Sequence, residues 1–387
     1  MTRFDDIRHY TDTEMLQALK RIEQFAELKP VVDYAFPDLT HGEFLAILDS
    51  IKNIADLQHL VMFRGMRTVI EKTMSSFTFS GLEHINPNKA YLYISNHRDI
   101  VLDAYLLQCI FDAHRMPTTR ITFGSNLMKN EFLRELGLCN KMFRTERGSD
   151  KGGAFGSAKS FYSALEHLSD YINHSIVNEN ESVWIAQRGG RTKDGHDATD
   201  PALIKMLGMA STSKNLVAAY SDLNIVPIAI SYEWEPCDGL KAMERCKTVD
   251  GKYRKSENED LISIITGMTQ YKGAVHLAIG KPIAENELEE LPATRGDFCN
   301  ALASLLDTKI NSAYRLSPNN YRAHDILMNK EQYGNTYTPQ QAQVFSQHIA
   351  TTINTYNTVN PDTLRTNLLE IYSNPVFSAH KDTNQSF

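Results

Sequence analysis

The sequence predicts an α/β fold, a mixed sheet layered with helices and preceded by an N-terminal helical subdomain. Three observations lead there. The first 77 residues repeat apolar side chains at helical spacing. Near Ser75 the period shortens. From there to about residue 330, short apolar runs alternate with amphipathic stretches, as strands and helices do in layered α/β domains. The expected organisation is a helical subdomain over 1–77, an α/β domain over 78–329 and a helical C-terminal extension over 330–387.

In chain order, Thr11-Asp12-Thr13-Glu14 has the form of a capping box and opens a helix through Leu19. Pro30 and Pro37 divide the helical pieces that continue from Phe44 to Met62. Phe77–Leu82 suits a short strand, and Pro87-Asn88 a turn before the apolar run Ala90–Ile94. Ala104–Phe111 reads as a helix and Arg120–Gly124 as a second buried strand. Residues 129–138 form an amphipathic helix ending at Gly137, and 154–172 a longer one. Val183–Gln187, Ile225–Ile230 and Val275–Gly280 are further strands, with Pro227 pointing to an edge or a kink. Residues 296–316 close the domain, 361–372 are helical, and the last dozen residues read as frayed.

Composition narrows the function. The chain has 387 residues, 42% hydrophobic and 22% charged, the balance of a soluble globular protein. Its net charge of −7 argues against a general nucleic-acid binder. Five widely spaced cysteines without a CxxC pair fit reduced thiols of a cytoplasmic protein, and neither a disulfide framework nor a zinc site. The charged start Met1–Asp6 does not read as a signal peptide, and no apolar run reaches the ~20 residues that span a bilayer. Any membrane contact is therefore expected to be peripheral.

Four blocks carry candidate chemistry. The first is Ser95–Asp103, where a buried strand gives way to a helix. It holds His97, Asp99 and Asp103, and ligands bind at such strand ends in open α/β sheets. An imidazole oriented by a carboxylate can take a proton from a hydroxyl near neutral pH. Asp99 would also serve as a helix N-cap, so either carboxylate is open as the partner of His97. The second block is Arg188-Gly189-Gly190-Arg191-Thr192-Lys193-Asp194-Gly195. Its glycine-freed amides, two guanidinium groups and one ammonium suit a phosphate, although the P-loop pattern is absent. The third runs from Gly124 through Gly137 to Arg144 and Arg147, two more candidate phosphate ligands. The fourth, Pro227–Glu233, ends with Tyr232 and Glu233 emerging from a strand.

In this order and spacing the blocks resemble the glycerolipid acyltransferase family, the glycerol-3-phosphate and 1-acylglycerol-3-phosphate O-acyltransferases. The resemblance spans about residues 80–285. It implies transfer of a fatty acyl group from acyl-CoA or acyl-carrier protein to the hydroxyl of glycerol 3-phosphate or a lysophospholipid, without a cofactor or metal. His97 would be the general base, oriented by Asp103 or Asp99. Arg144 or Arg147 and Arg191 would bind phosphate, with Arg188, Gly190, Thr192 and Lys193 beside them. Five residues separate His97 from Asp103 where the family has four, so a local bulge or the use of Asp99 is expected. A cytoplasmic enzyme, working peripherally at the inner face of a membrane, is the setting this implies. A hydrolase and a non-catalytic acyl-carrier or lipid-binding protein of the same fold are the alternatives.

Overall fold

The computed structural model describes residues 3–146, 158–211, 213, 215–251, 253–256 and 258–381. Its architecture is α/β. Seven strands, β1 (Met74–Ser80), β2 (Leu92–Ser95), β3 (Arg120–Gly124), β4 (Met142–Thr145), β5 (Val183–Ala186), β6 (Ile225–Tyr232) and β7 (Gly273–Ile279), form one sheet of order β1-β7-β6-β2-β5-β3-β4. Every pair is parallel except β6–β7, which is antiparallel, so the sheet is mixed.

Strand β2 stands in the middle, between β5 and β6. Leu92 is level with both Val183 and Ile225, and Ser95 with both Ala186 and Ile228. The carboxyl ends of three parallel neighbours therefore open on the same edge of the sheet. From β2 the chain passes to β3 on one side and later returns to β6 on the other. That change of direction makes the edge above β2 a topological switch point, where ligands collect.

The alternation along β2 and β5 distributes side chains to two cores. Leu92, Ile94, Val183 and Ile185 pack against helices Pro201–Leu207 and Arg295–Ala313. Tyr93 and Trp184 pack on the other face, against helices Phe63–Thr73 and Leu102–Ala113. Leu92 and Ile94 are fully buried, and burial of this kind stabilises by ~1.5–3 kcal/mol per side chain. The helical segments from Asp12 to Met62 share a third core, which also takes in Phe132 and Cys139. Both expected capping features at Thr11 and Glu14 are made, with each side chain bonded to the other's backbone.

Three expectations need correction. Pro227 marks neither an edge nor a kink: β6 is central. The β7 ladder begins one residue later, at Ile228↔Ile279, and Gly280 N–H still donates to the Pro227 carbonyl at 2.9 Å. The missing proline N–H thus falls where β7 has run out. Second, the C-terminal helix does not stop at 372; of the stretch expected to fray, residues 376–381 are helical and 382–387 lie outside the described residues. The helix runs Pro361–Lys381 through Pro375, because Leu364, Leu368, Tyr372 and Val376 are buried against Phe345, Ala242 and Met243. Third, β4 was not anticipated, since Arg144 and Thr145 leave it without the apolar run that marks β2 and β5. Among the described residues, no helix is long and apolar enough to cross a membrane.

Candidate active site

His97 follows β2 by two residues, and Asp103 lies in the first turn of helix Leu102–Ala113. The imidazole Nδ1 meets Asp103 Oδ2 at 2.9 Å. A carboxylate there fixes the ring proton on Nδ1 and leaves Nε2 as the basic nitrogen. Asp103 is fully buried and His97 nearly so. The same Oδ2 accepts the backbone N–H of Arg98 at 2.6 Å and of Asp99 at 2.8 Å. These bonds explain how five intervening residues are accommodated. The loop folds over the helix N-terminus, and the carboxylate ties its amides down, on the end of the helix where a negative charge is favoured.

Asp99 takes the other role foreseen for it. Its Oδ1 accepts from Val101 N and Leu102 N, both at 2.9 Å, and caps the helix. The helix starts at Leu102, two residues before the apolar run Ala104–Phe111. Asn96 stitches β2 to β6, accepting from Ile230 N at 2.8 Å and donating to Ile230 O at 3.0 Å. Arg98, fully buried, turns away from His97 toward Asp197 (Nη2 to Oδ2, 2.6 Å) and Glu235 (Nη1 to Oε2, 3.2 Å). Lys241 joins this network, donating to Arg98 O at 2.6 Å and to Glu235 Oε1 at 2.5 Å. Nothing in the sequence pointed to Asp197, Glu235 or Lys241. They come from two distant stretches, around 197 and over 235–241, and together they hold the peptide beside His97.

The Gly-Gly-Arg loop lies against the same point. Thr192 N–H donates to the His97 carbonyl at 2.9 Å. Gly190 and Gly195 both adopt positive φ, +84° and +80°, which glycine reaches without strain. At Gly195 a side chain would also strike the Ile371 carbonyl, since its Cβ would lie 2.0 Å from that oxygen. Arg191 is buried, and its Nη1 has no hydrogen-bond partner within the protein. Thr192 Oγ1 donates to Asp194 Oδ1 and His196 O, both at 3.0 Å, and shapes the turn. Lys193 pairs with Glu244. Burial, and then Arg191 beside it, push its ammonium down to about 8.

A cavity of about 1310 Å³ joins these elements. His97, Trp184, Arg188, Gly189 and Gly190 line it. Beyond them its walls are apolar, with Ile22, Phe36, Phe44, Leu48 and Val61 from the N-terminal helices and Ile264 and Met268 from helix Glu259–Thr269. Trp184 stands edge-on to His97, ring centroids 6.2 Å apart. Arg144 is not brought to this point. It lies on the edge strand β4, three strands from β2, or about 14 Å at normal strand spacing. Its side chain is half exposed and paired with Glu146. Arg147 lies outside the described residues. Among the described residues, no cluster of His, Cys, Asp and Glu could hold a metal ion.

Residues 76–231 match the family model described as Acyltransferase, a span from β1 to the penultimate residue of β6 that contains His97, Asp103 and the 188–193 loop. Over that span the chain is similar to the acyltransferase family. The matched span coincides with the part of the sheet whose strand ends meet at His97. Among solved structures the chain is similar to the 1-acyl-sn-glycerophosphate (LPA) acyltransferase PlsC of Thermotoga maritima, at 12% identity and a TM-score of 0.38, over 77% of this chain and 95% of that one. No curated protein matches the chain at a significant level.

Proposed function

We propose that this acyltransferase moves a fatty acyl group from a thioester, acyl-CoA or acyl-carrier protein, to the hydroxyl of glycerol 3-phosphate or a lysophospholipid. The observation that carries this reading is His97, paired with Asp103, on the wall of a large apolar cavity, with a buried guanidinium whose Nη1 is unpartnered, that of Arg191, in the loop bonded to the His97 carbonyl. His97 Nε2 takes the proton of the acceptor hydroxyl. The oxygen attacks the thioester carbonyl carbon, the C–S bond breaks, and the imidazolium returns its proton to the departing thiolate. Asp103 holds the ring and stabilises the imidazolium. A positioned base supplies ~10²–10⁴-fold, and alignment of the two substrates up to ~7–11 kcal/mol.

Arg191, Arg188 and Lys193 are the cations this reading gives to the acceptor phosphate; Arg144, at the sheet edge, is left out of it. The acyl chain occupies the apolar cavity, whose volume exceeds the ~300–1,000 Å³ of ordinary ligand sites. The reaction so written uses no cofactor and suits a cytoplasmic protein that meets its lipid peripherally at the membrane's inner face. The test is release of CoA from acyl-CoA, with and without glycerol 3-phosphate or lysophosphatidate. His97→Ala should abolish acceptor-dependent release. Arg191→Ala should mainly raise KM for the phosphorylated acceptor. Release that ignores the acceptor would identify a hydrolase, and no release at all would leave a binding protein.

A further inference from the structure

The two oxygens of Asp103 are held in different ways. His97 Nδ1 and the amides of Arg98 and Asp99 all converge on Oδ2. Oδ1 accepts from the phenol of Tyr232, at 2.8 Å. Tyr232 is the last residue of β6 and lies one residue beyond the matched acyltransferase span. Its side chain is buried, in the core beneath helix Leu102–Ala113. The rotation of an aspartate carboxylate about its last torsion is soft. Three donors on one oxygen leave that rotation open; a fourth on the other oxygen fixes the plane, and so the direction of the lone pair aimed at Nδ1.

We infer that Tyr232 is a positioning residue for the His97–Asp103 pair, tying the orientation of the base to strand β6. Burial, followed by Asp103 and Asp99, raises the phenol's pKa well above its usual value, so it stays a donor at any working pH. The charged groups around it are Asp103, Asp99 and, past the strand end, Glu235. The inference rests on His97 acting as the base, and it acts through Asp103 without touching substrate.

The experiment follows the His97 ring by ¹⁵N-histidine NMR titration of the whole chain, free of substrate, in wild type and Tyr232→Phe, beside the kinetics of both. Losing the phenol donor makes Asp103 the stronger partner of the imidazolium. The His97 pKa should therefore rise by about half a pH unit or more, while kcat falls roughly tenfold and KM stays within about twofold. Incorporation of 3-fluorotyrosine, whose phenol is the stronger donor, should move the His97 pKa the opposite way and needs no folding of a variant. An unmoved titration in both proteins, or a fall in kcat without a shift of the imidazole, would overturn the assignment. A shifted imidazole in a protein that turns over no thioester would uphold it and remove the proposed function instead.

Discussion

Asp103→Asn is the perturbation with the most to say about the proposed mechanism. The carboxylate accepts four hydrogen bonds, at 2.6, 2.8, 2.8 and 2.9 Å, inside a fully buried site. An asparagine can fit only one way. Its amide nitrogen must replace Oδ1, where the Tyr232 hydroxyl can turn to accept. Its oxygen then replaces Oδ2 and still faces the imidazole and two backbone amides. All four bonds to a charged group become bonds to a neutral one. At ~1.5–3 kcal/mol for the charged kind and ~0.5–1.5 for the neutral, the loss is about 5 kcal/mol of stability. In a chain this long that lowers the melting temperature by roughly 6 °C, so the variant should remain folded at room temperature. Catalysis loses more, because the negative charge that stabilises the imidazolium is gone. The expected fall in kcat is ~10²–10⁴-fold, the whole contribution of a general base, with KM little changed. The assay is thiol release from acyl-CoA at saturating acceptor, beside a thermal melt. A folded Asp103→Asn enzyme that keeps kcat within about threefold would refute the assignment of His97 and Asp103 as the working pair.

Three further outcomes are expected. Lys193 loses its charge above about pH 8, because burial and Arg191 depress its pKa. KM for a phosphorylated acceptor should climb as pH passes that value, Lys193→Ala should flatten the climb, and a KM unchanged between about pH 7 and 9 would remove Lys193 from phosphate binding. Lys272 is fully buried, and burial lowers its pKa from 10.5 to about 8. Between these values the unfolded chain holds more protons than the folded one, so this group makes stability rise with pH from about 8 to 10.5. Lys272→Met should remove that rise and stabilise the protein near neutrality, as read by denaturant midpoints at about pH 7 and 10. Leu48→Trp narrows the cavity among the N-terminal helices. Each acyl methylene it excludes forfeits ~0.8 kcal/mol, about fourfold in KM, so long-chain thioesters should lose ground while short ones keep their KM; an unchanged chain-length profile would place the acyl chain elsewhere.

The contrast between residues that were legible in the sequence and those that were not follows separation along the chain. His97 and its two candidate carboxylates lie within seven residues, and their place between an apolar strand and a helix is a local pattern. The Gly-Gly-Arg loop is local as well, and its glycines carry the positive φ at 190 and 195 directly. By contrast, Tyr232 stands 129 residues from Asp103, and Asp197 stands 99 from Arg98. Tyr232 was visible as a polar residue at a strand end and Asp197 was not, and only the strand order β6-β2-β5 brings each to its partner. The same order removes Arg144, which a linear reading places among the phosphate ligands and which the sheet puts on its far edge.

Alone, the sequence determined the class of the fold, the strand–helix corner that holds the imidazole, and the cation-bearing loop, because hydrophobic period and glycine chemistry act over a few residues. Tertiary structure decided which carboxylate faces the imidazole, since Asp99 and Asp103 are equal candidates until the capping bonds to Val101 and Leu102 engage Asp99. It also decided the cavity, whose walls come from helices and strands more than two hundred residues apart. Side-chain direction at a helix start is set by hydrogen bonds to the folded loop, and an enclosed volume exists only once distant apolar surfaces have packed around it.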